Sequence, residues 1–395
     1  CSCSSSTTKG DLETIPVGSA YSAITTLKAS DYFREVTYIP LETTDSVLVG
    51  NAPSIRVAGN RLIVSSSQKQ CYSFNKSDGR FVASVGHIGN DPEGCRELTG
   101  WLDAANGYLY FLKGDGVSAI YDTDGNFVGT SKEVELSDGL FGIDSNDYLD
   151  KQTLVKHTSA TATKPDRVIL YRDTTLLASF PSHGEEKAIV SGNQADIESI
   201  AVFQQALMEH SMIFIHYKNG DEMGLIPTEH PFWHVGKKLY FRELFNDTIY
   251  QVTKDGLLRF DFGAMTWKRA DRYDAQKDDA IYPLEVMEND RFLWLRFVVN
   301  LYRQDKRKAY NALYLKGTGE VKVAAYEEGM ENDLNGFLPL QPTFVTADGE
   351  FAQLIPAETI AEWFEEHPDA AELPAEIQAL KAIKADDNPV VVLMK

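Results

Sequence analysis

The sequence predicts an all-β fold: a six-bladed β-propeller of four-stranded antiparallel blades, with the closing blade shared between the N- and C-termini. Three observations predict it. Short alternating strands are punctuated by Asp-Gly or Asn-Gly turns, among them Asp78-Gly79 and Asp124-Gly125, which lie 46 residues apart. Segments 54–86 and 101–132 share one pattern: a strand, a Gly/Asn turn, a strand (RLIVS; YLYFL), a third strand ending in an aromatic, an Asp-Gly turn, and a fourth strand (RFVASV; NFVGTS). Strand-like runs also stand near both ends, VTYIPLE at 36–42 and VVVLM at 390–394. Asp-Gly suits a tight hairpin because that backbone needs φ > 0, which Gly tolerates and Asp resists less than most residues. Four antiparallel strands repeating at about 45 residues are the mark of a propeller blade.

The chain begins CSCSSSTTKG. A mature bacterial lipoprotein begins in this way, with Cys1 carrying the lipid and a small-residue tether behind it; the expectation is a lipidated N-terminus and flexible tether over 1–30. The propeller domain then spans 31–395. Segments 140–181, 232–263 and 284–326 supply further blades, the second ending in the hairpin Asp255-Gly256. The last blade joins QPTFVTADGEFAQLI (341–355) and VVVLM to VTYIPLE, a closure that leaves no open edge at the seam. Segment 185–227 combines a helix-like ADIESIAVFQQALMEH with a strand-like SMIFIHY and is read as an insertion; the alternative is a seventh blade. Over 356–386 two helices interrupt the closing blade. They start after Pro356 and Pro374 and place Ile360, Trp363 and Phe364, then Ile377, Leu380 and Ile383, at helical spacing.

The chain has 395 residues, 38 Lys plus Arg and 58 Asp plus Glu, for a net charge of −20. Such a surface repels phosphate backbones and anionic lipid head groups, which excludes nucleic acid and lipid surfaces as partners. No apolar run reaches the ~18 residues of a spanning helix. Cys71 and Cys95 are read as two buried free thiols, with a disulfide as the alternative that an envelope location permits.

The piece FNKSDGRFVASVGHIGNDPEGCREL (74–98) resembles the link between NHL-type blades, an aromatic-Asp-x-x-Gly run followed by Gly-x-x-Gly-x-x-Pro. Four landmarks together, VTYIPLETT (36–44), GHIGNDPEG (86–94), NDTIYQVTKDG (246–256) and DDNPVVVLMK (386–395), resemble the six-bladed β-propeller lipoproteins common in Bacteroidetes. That resemblance implies fold and location: an outer-membrane lipoprotein. Ser and Thr after Cys1, where surface-exported members carry acids, point it toward the periplasm. The family link reads Gly-Pro-Gly-Glu where this chain has Asp91-Pro92-Glu93-Gly94, so the tight turn carries over and a ligand contact by the family's Glu does not.

The loop from Gly86 to Gly94 crosses one face of the ring toward the axis and carries His87, Asp91 and Glu93, with Arg96 just beyond. Titratable groups near a concave mouth make these four the candidate ligand-binding residues. His210 and His216 share a face if their run is a strand. His230 and His234 share one if helical, against which Pro231 argues. No Cys/His spacing matches a zinc motif, so no metal or cofactor is expected. Asp122-Thr-Asp124-Gly125-Asn126 has its Gly at the fourth place rather than the sixth of a calcium loop, which makes it a hairpin turn; the polar cluster Asp144 to Asp147 is read as an ordinary turn. No Gly-x-Ser-x-Gly elbow, phosphate loop or sialidase-type box occurs. The functional expectation is a monomeric binding or scaffold module for an envelope protein, peptide or glycan. The alternative is an enzyme with a channel-mouth site, a metal-assisted lyase or lactonase.

Overall fold

A computed structural model describes residues 14–66, 69–114, 117–131, 144–158, 167–181, 194–207, 210–220, 222–225, 230–243, 246–261, 281–301, 303, 305–368 and 373–395. Six four-stranded antiparallel sheets form the ring. Blade 1 holds Ser54–Ala58, Arg61–Ser66, Gln70–Asn75 and Phe81–Ser84, and blade 2 holds Trp101–Asp103, Tyr108–Gly114, Val117–Asp122 and Phe127–Thr130. Blade 3 holds Asp144–Asp150, Thr153–Thr158, Arg167–Arg172 and Thr175–Pro181. Blade 4 holds Phe232–Val235, Lys238–Phe241, Thr248–Thr253 and Gly256–Asp261, and blade 5 holds Ile281–Glu288, Phe292–Val299, Lys308–Leu315 and Glu320–Ala325. In each the first strand is innermost. Blade 6 runs Phe344–Val345, Phe351–Ile355 and Val390–Met394, with Val36–Pro40 from the other end as its outer strand.

The two-residue turns supply the local reason for this order. Gly79 and Gly125 have φ of +70° and +88°, as an Asp-Gly hairpin requires. Gly79 also sits at the seam: a Cβ there would lie 2.0 Å from the carbonyl oxygen of Pro40, so the blade 1 hairpin can touch the closing strand only without a side chain. Alternating apolar residues then fill the layers between neighbouring blades. Val155, Leu170, Phe232, Leu239 and Phe241 pack between blades 3 and 4. Ile249, Leu295, Phe297 and Val323 pack between blades 4 and 5, and Trp294, Phe351, Val390 and Met394 between blades 5 and 6.

Three details differ from the sequence expectation. Segment 197–225 is a three-stranded sheet, Ile197–Leu207, His210–Tyr217 and Glu222–Leu225, and the helix-like stretch is its first strand. Ile197, Ile200 and Val202 explain this, because β-branched side chains suit a pleated strand better than a helix. The innermost strand of blade 3 packs directly on blade 4, so this sheet is not interposed as a seventh blade. Within the segment 1–30 expected as tether, Ile15, Val17, Leu27 and Ala29 are buried against blades 5 and 6, so this part belongs to the folded body. Asp144–Asp150 is a strand rather than a turn, for reasons given below.

The two late helices form as read, Ala357–Glu366 and Ala375–Ala379, the second ending in a 3-10 turn at Leu380–Ala382. Ile360, Phe364, Ile377 and Leu380 bury into the blade 5–6 core. Cys71 and Cys95 are buried free thiols in one apolar cluster between blades 1 and 2. Burial pushes the Cys71 thiol up to about 11, which keeps it protonated and unreactive. Among the described residues no helix is long and apolar enough to cross a membrane.

Candidate functional site

One cavity of about 2610 Å³ is lined by residues of all six innermost strands: Arg56, Trp101, Asp147, His234, Glu285 and Phe344 each represent one blade. Its wall is the set of joints between blades, and each joint has its own fastening. Arg56 of blade 1 donates to the carbonyl oxygens of Thr99 (3.4 Å) and Gly100 (2.5 Å) at the entrance to blade 2. Between blades 2 and 3, Trp101 stacks on Tyr110 at 4.3 Å and lies 6.2 Å from Tyr148. Arg242, at the end of the second strand of blade 4, donates to the carbonyl oxygens of Pro283 and Leu284 in blade 5 and to those of Glu243 and Asn246. Arg296 of blade 5 donates to Pro342 O at the entrance to blade 6 and pairs with Glu285 at 2.7 Å. Lys76 and Glu350 join blades 1 and 6.

The joint between blades 3 and 4 is different in kind. Asp147, on the innermost strand of blade 3, is buried, and its Oδ1 lies 2.9 Å from His234 Nε2 on the innermost strand of blade 4. His230 Nε2 lies 3.8 Å from Oδ2. Burial works to raise the Asp147 carboxyl, but the imidazoles of His230 and His234 outweigh it and hold the group below the usual carboxylate range. At the same joint His157 of blade 3 faces Glu243 of blade 4 at 3.6 Å. Further out, Lys254 pairs with Asp150 at 2.9 Å and holds that carboxyl down at about 2. Among the described residues no group of three or more His, Cys, Asp and Glu side chains has the arrangement of a metal site.

The four residues picked from the sequence lie elsewhere. His87 Nε2 and Asp91 Oδ2 are 2.8 Å apart, and about half of each side chain is exposed. Asp91 Oδ1 accepts the backbone N–H groups of Glu93 and Gly94, a local turn that fixes the loop. Lys113 Nζ donates to the carbonyl oxygens of Asp91, Pro92 and Gly94, and the Tyr121 hydroxyl donates to Glu93 O. Arg96 packs over Gly114, where a Cβ would meet its guanidinium. These contacts are spent within the loop and on blade 2, and none of the four residues lines the cavity, although Glu97 does. His216 is in a strand with His210, as the six-residue spacing implied. Asp122 caps its own hairpin through the N–H groups of Asp124 and Asn126.

A family model matches residues 12–395. The chain belongs to DUF4934, a domain of unknown function. Among solved structures this DUF4934 chain is similar to a Bacteroides fragilis protein described as exported, with a TM-score of 0.61, 16% identity, and 94% of this chain and 97% of that one covered. That likeness shows the fold. The WD40 repeats of RRP9 align at 8% identity and a TM-score of 0.39, covering 94% of this chain and all of that one, too distant to carry an argument. No curated protein sequence matches. The cavity of this DUF4934 member must therefore be read from its own residues. The sequence reading weighed His230 and His234 as a helical pair and Asp147 as part of a turn, and set both aside; Asp147 and His234 instead meet from neighbouring innermost strands.

Proposed function

We propose that this DUF4934 propeller is a cell-envelope binding module that holds a peptide, protein segment or glycan in its central cavity. The observation that carries the reading is a cavity lined by all six innermost strands, walled by aromatic, amide and charged side chains. Concave sites with a few placed polar groups are where folds of this kind take ligands. The proposed location is the periplasmic side of the outer membrane, with Cys1 as the lipid-bearing residue, supported by the Ser-rich stretch behind it and by the exported fold neighbour. The enzyme alternative is represented by the Asp147–His234 pair, and among the described residues neither imidazole hydrogen-bonds a serine or cysteine.

The test is calorimetric titration of the full chain with size-fractionated envelope glycans and peptides, alongside Thr343→Trp, which places a large side chain at an exposed cavity-lining position. Saturable binding that the variant loses supports the reading. Binding unchanged by the variant overturns it. For the anchor, Cys1→Ala releases the protein from membranes, and unchanged membrane fractionation contradicts lipidation.

A further inference from the structure

Asp147, on the blade 3–4 wall, is 4% exposed, yet its two oxygens are served unequally. Oδ1 accepts the N–H of Tyr148 at 2.6 Å and faces His234 Nε2 at 2.9 Å. Oδ2 has only His230 Nε2, at 3.8 Å, beyond hydrogen-bond distance. Among the described residues nothing else bonds to it, and the residue lines the central cavity. An ionised carboxylate drawn out of water needs a cation or full hydrogen bonding, and a half-served one is costly. Because Asp147 lines the cavity, a partner can reach Oδ2 from there.

The imidazoles define what that partner must be. Both Nε2 atoms face the carboxylate, so each ring turns a donor toward Asp147. On the cavity side of this joint the Asp147 carboxylate oxygen is the charged acceptor. A carboxylic acid or phosphate meets a like charge at this oxygen, whereas an N–H-rich cation meets an opposite one with the His230 ring beside it. A net charge of −20 raises the local concentration of cations around the whole molecule.

We propose that Asp147 Oδ2 and His230 form a receptor for the primary ammonium group of a small organic amine entering the central cavity. This deepens the cavity-binding reading and rests on it. The competing account is closure: His230, 44% exposed, moves in by about a bond's shortfall, donates to Oδ2, and no ligand is needed.

The experiment is isothermal titration of the full chain with 1,5-diaminopentane and with its uncharged counterpart 1,5-pentanediol. The expected result is saturable binding of the diamine alone. Asp147→Asn weakens it about tenfold or more, in line with the loss of one charge-assisted bond. Asp124→Asn removes the same charge from a distant hairpin and leaves it unchanged. Thermal melting reports whether Asp147→Asn folds. If it does not, His230→Ala decides: it removes the other half of the receptor, so diamine binding must weaken, and unchanged binding overturns the proposal. No diamine binding by the wild type, equal binding of diol and diamine, or binding unaffected by Asp147→Asn overturns the proposal. So does a divalent metal ion that binds stoichiometrically at Asp147 while the diamine stays silent. Equal binding of diol and diamine that Thr343→Trp abolishes leaves the cavity reading standing and overturns only the ammonium receptor.

Discussion

The joint between blades 4 and 5 and the joint between blades 3 and 4 solve the same problem with different chemistry. At the first, Arg242 is 4% exposed and gives its protons to four carbonyl oxygens on both sides of the joint. A guanidinium is charged at every accessible pH, and its fork matches several acceptors at once. Trp233 adds an N–H bond to Glu288 at 2.7 Å, and that acid is balanced by Lys316 at 2.6 Å. At the second, Asp147, His230, His234, His157 and Glu243 face one another, and every one of them can change charge. The first joint satisfies its carbonyls from within the wall. The second leaves a carboxylate oxygen turned to the cavity. The comparison teaches where in a near-symmetric ring to look for binding: at the joint whose polar groups are not used up in holding the blades together.

The comparison breaks first at Arg242. Arg242→Ala strands buried carbonyl oxygens in both blades and is expected to destabilise the fold by about 4 kcal/mol, read by urea denaturation. Arg242→Lys recovers less than half of that, because an ammonium on a flexible stem cannot reproduce the fork. A loss below about 1 kcal/mol would show that the apolar layer of Ile249, Leu295 and Phe297 holds this joint unaided.

Asp147→Asn comes next, at about 1–2 kcal/mol near neutral pH: the amide keeps the shape and one acceptor, but the charge facing His234 is gone. Its pH signature sharpens the contrast. The folded-state carboxyl of Asp147 lies below its unfolded value, so its stabilisation is full above the ordinary aspartate range and is lost as pH falls through the folded value. Asp150, held at about 2 by Lys254, contributes in the same sense between the ordinary aspartate value of about 4 and that figure. Denaturation midpoints of the wild type should therefore fall on acidification below about pH 4, and Asp147→Asn should flatten that slope. An unchanged slope would place the acid-sensitive groups elsewhere.

The smallest effect is at the outer edge of the same joint. Lys254 and Asp150 are 55% and 41% exposed, so Lys254→Ala should cost no more than about 0.5 kcal/mol, a change that disappears in high salt. A larger, salt-insensitive loss would mean that this pair, rather than the buried one, ties blades 3 and 4.

The ring itself was legible because its turns are local. Asp78-Gly79 and Asp124-Gly125 announce hairpins through a backbone requirement that few other residues meet, and the strands between them alternate. The seam was legible too, since 36–42 and 390–394 needed each other to complete a blade. The cavity wall was not. Innermost strands carry polar residues toward the cavity, so Asp144-Ser145-Asn146-Asp147 breaks the apolar pattern that marks a strand and reads as a turn. Asp147 and His234 are 87 residues apart, and nothing local predicts that they meet. In the 185–227 insertion, helical spacing competed with β-branched content, and the latter won. In the His87 loop, Asp91 is held by His87 and accepts the N–H groups of Glu93 and Gly94, so that carboxylate serves its own turn.

Hydrogen–deuterium exchange on the full chain, with and without 1,5-diaminopentane, tests the central claim most directly. The account predicts slower exchange in Asp144–Asp150, the strand that carries Asp147, and in Phe232–Val235, the strand that faces it, and no change in Ile281–Glu288, the strand that receives Arg242. Slowing confined to the outer strands, or spread evenly over all six innermost strands, would contradict it.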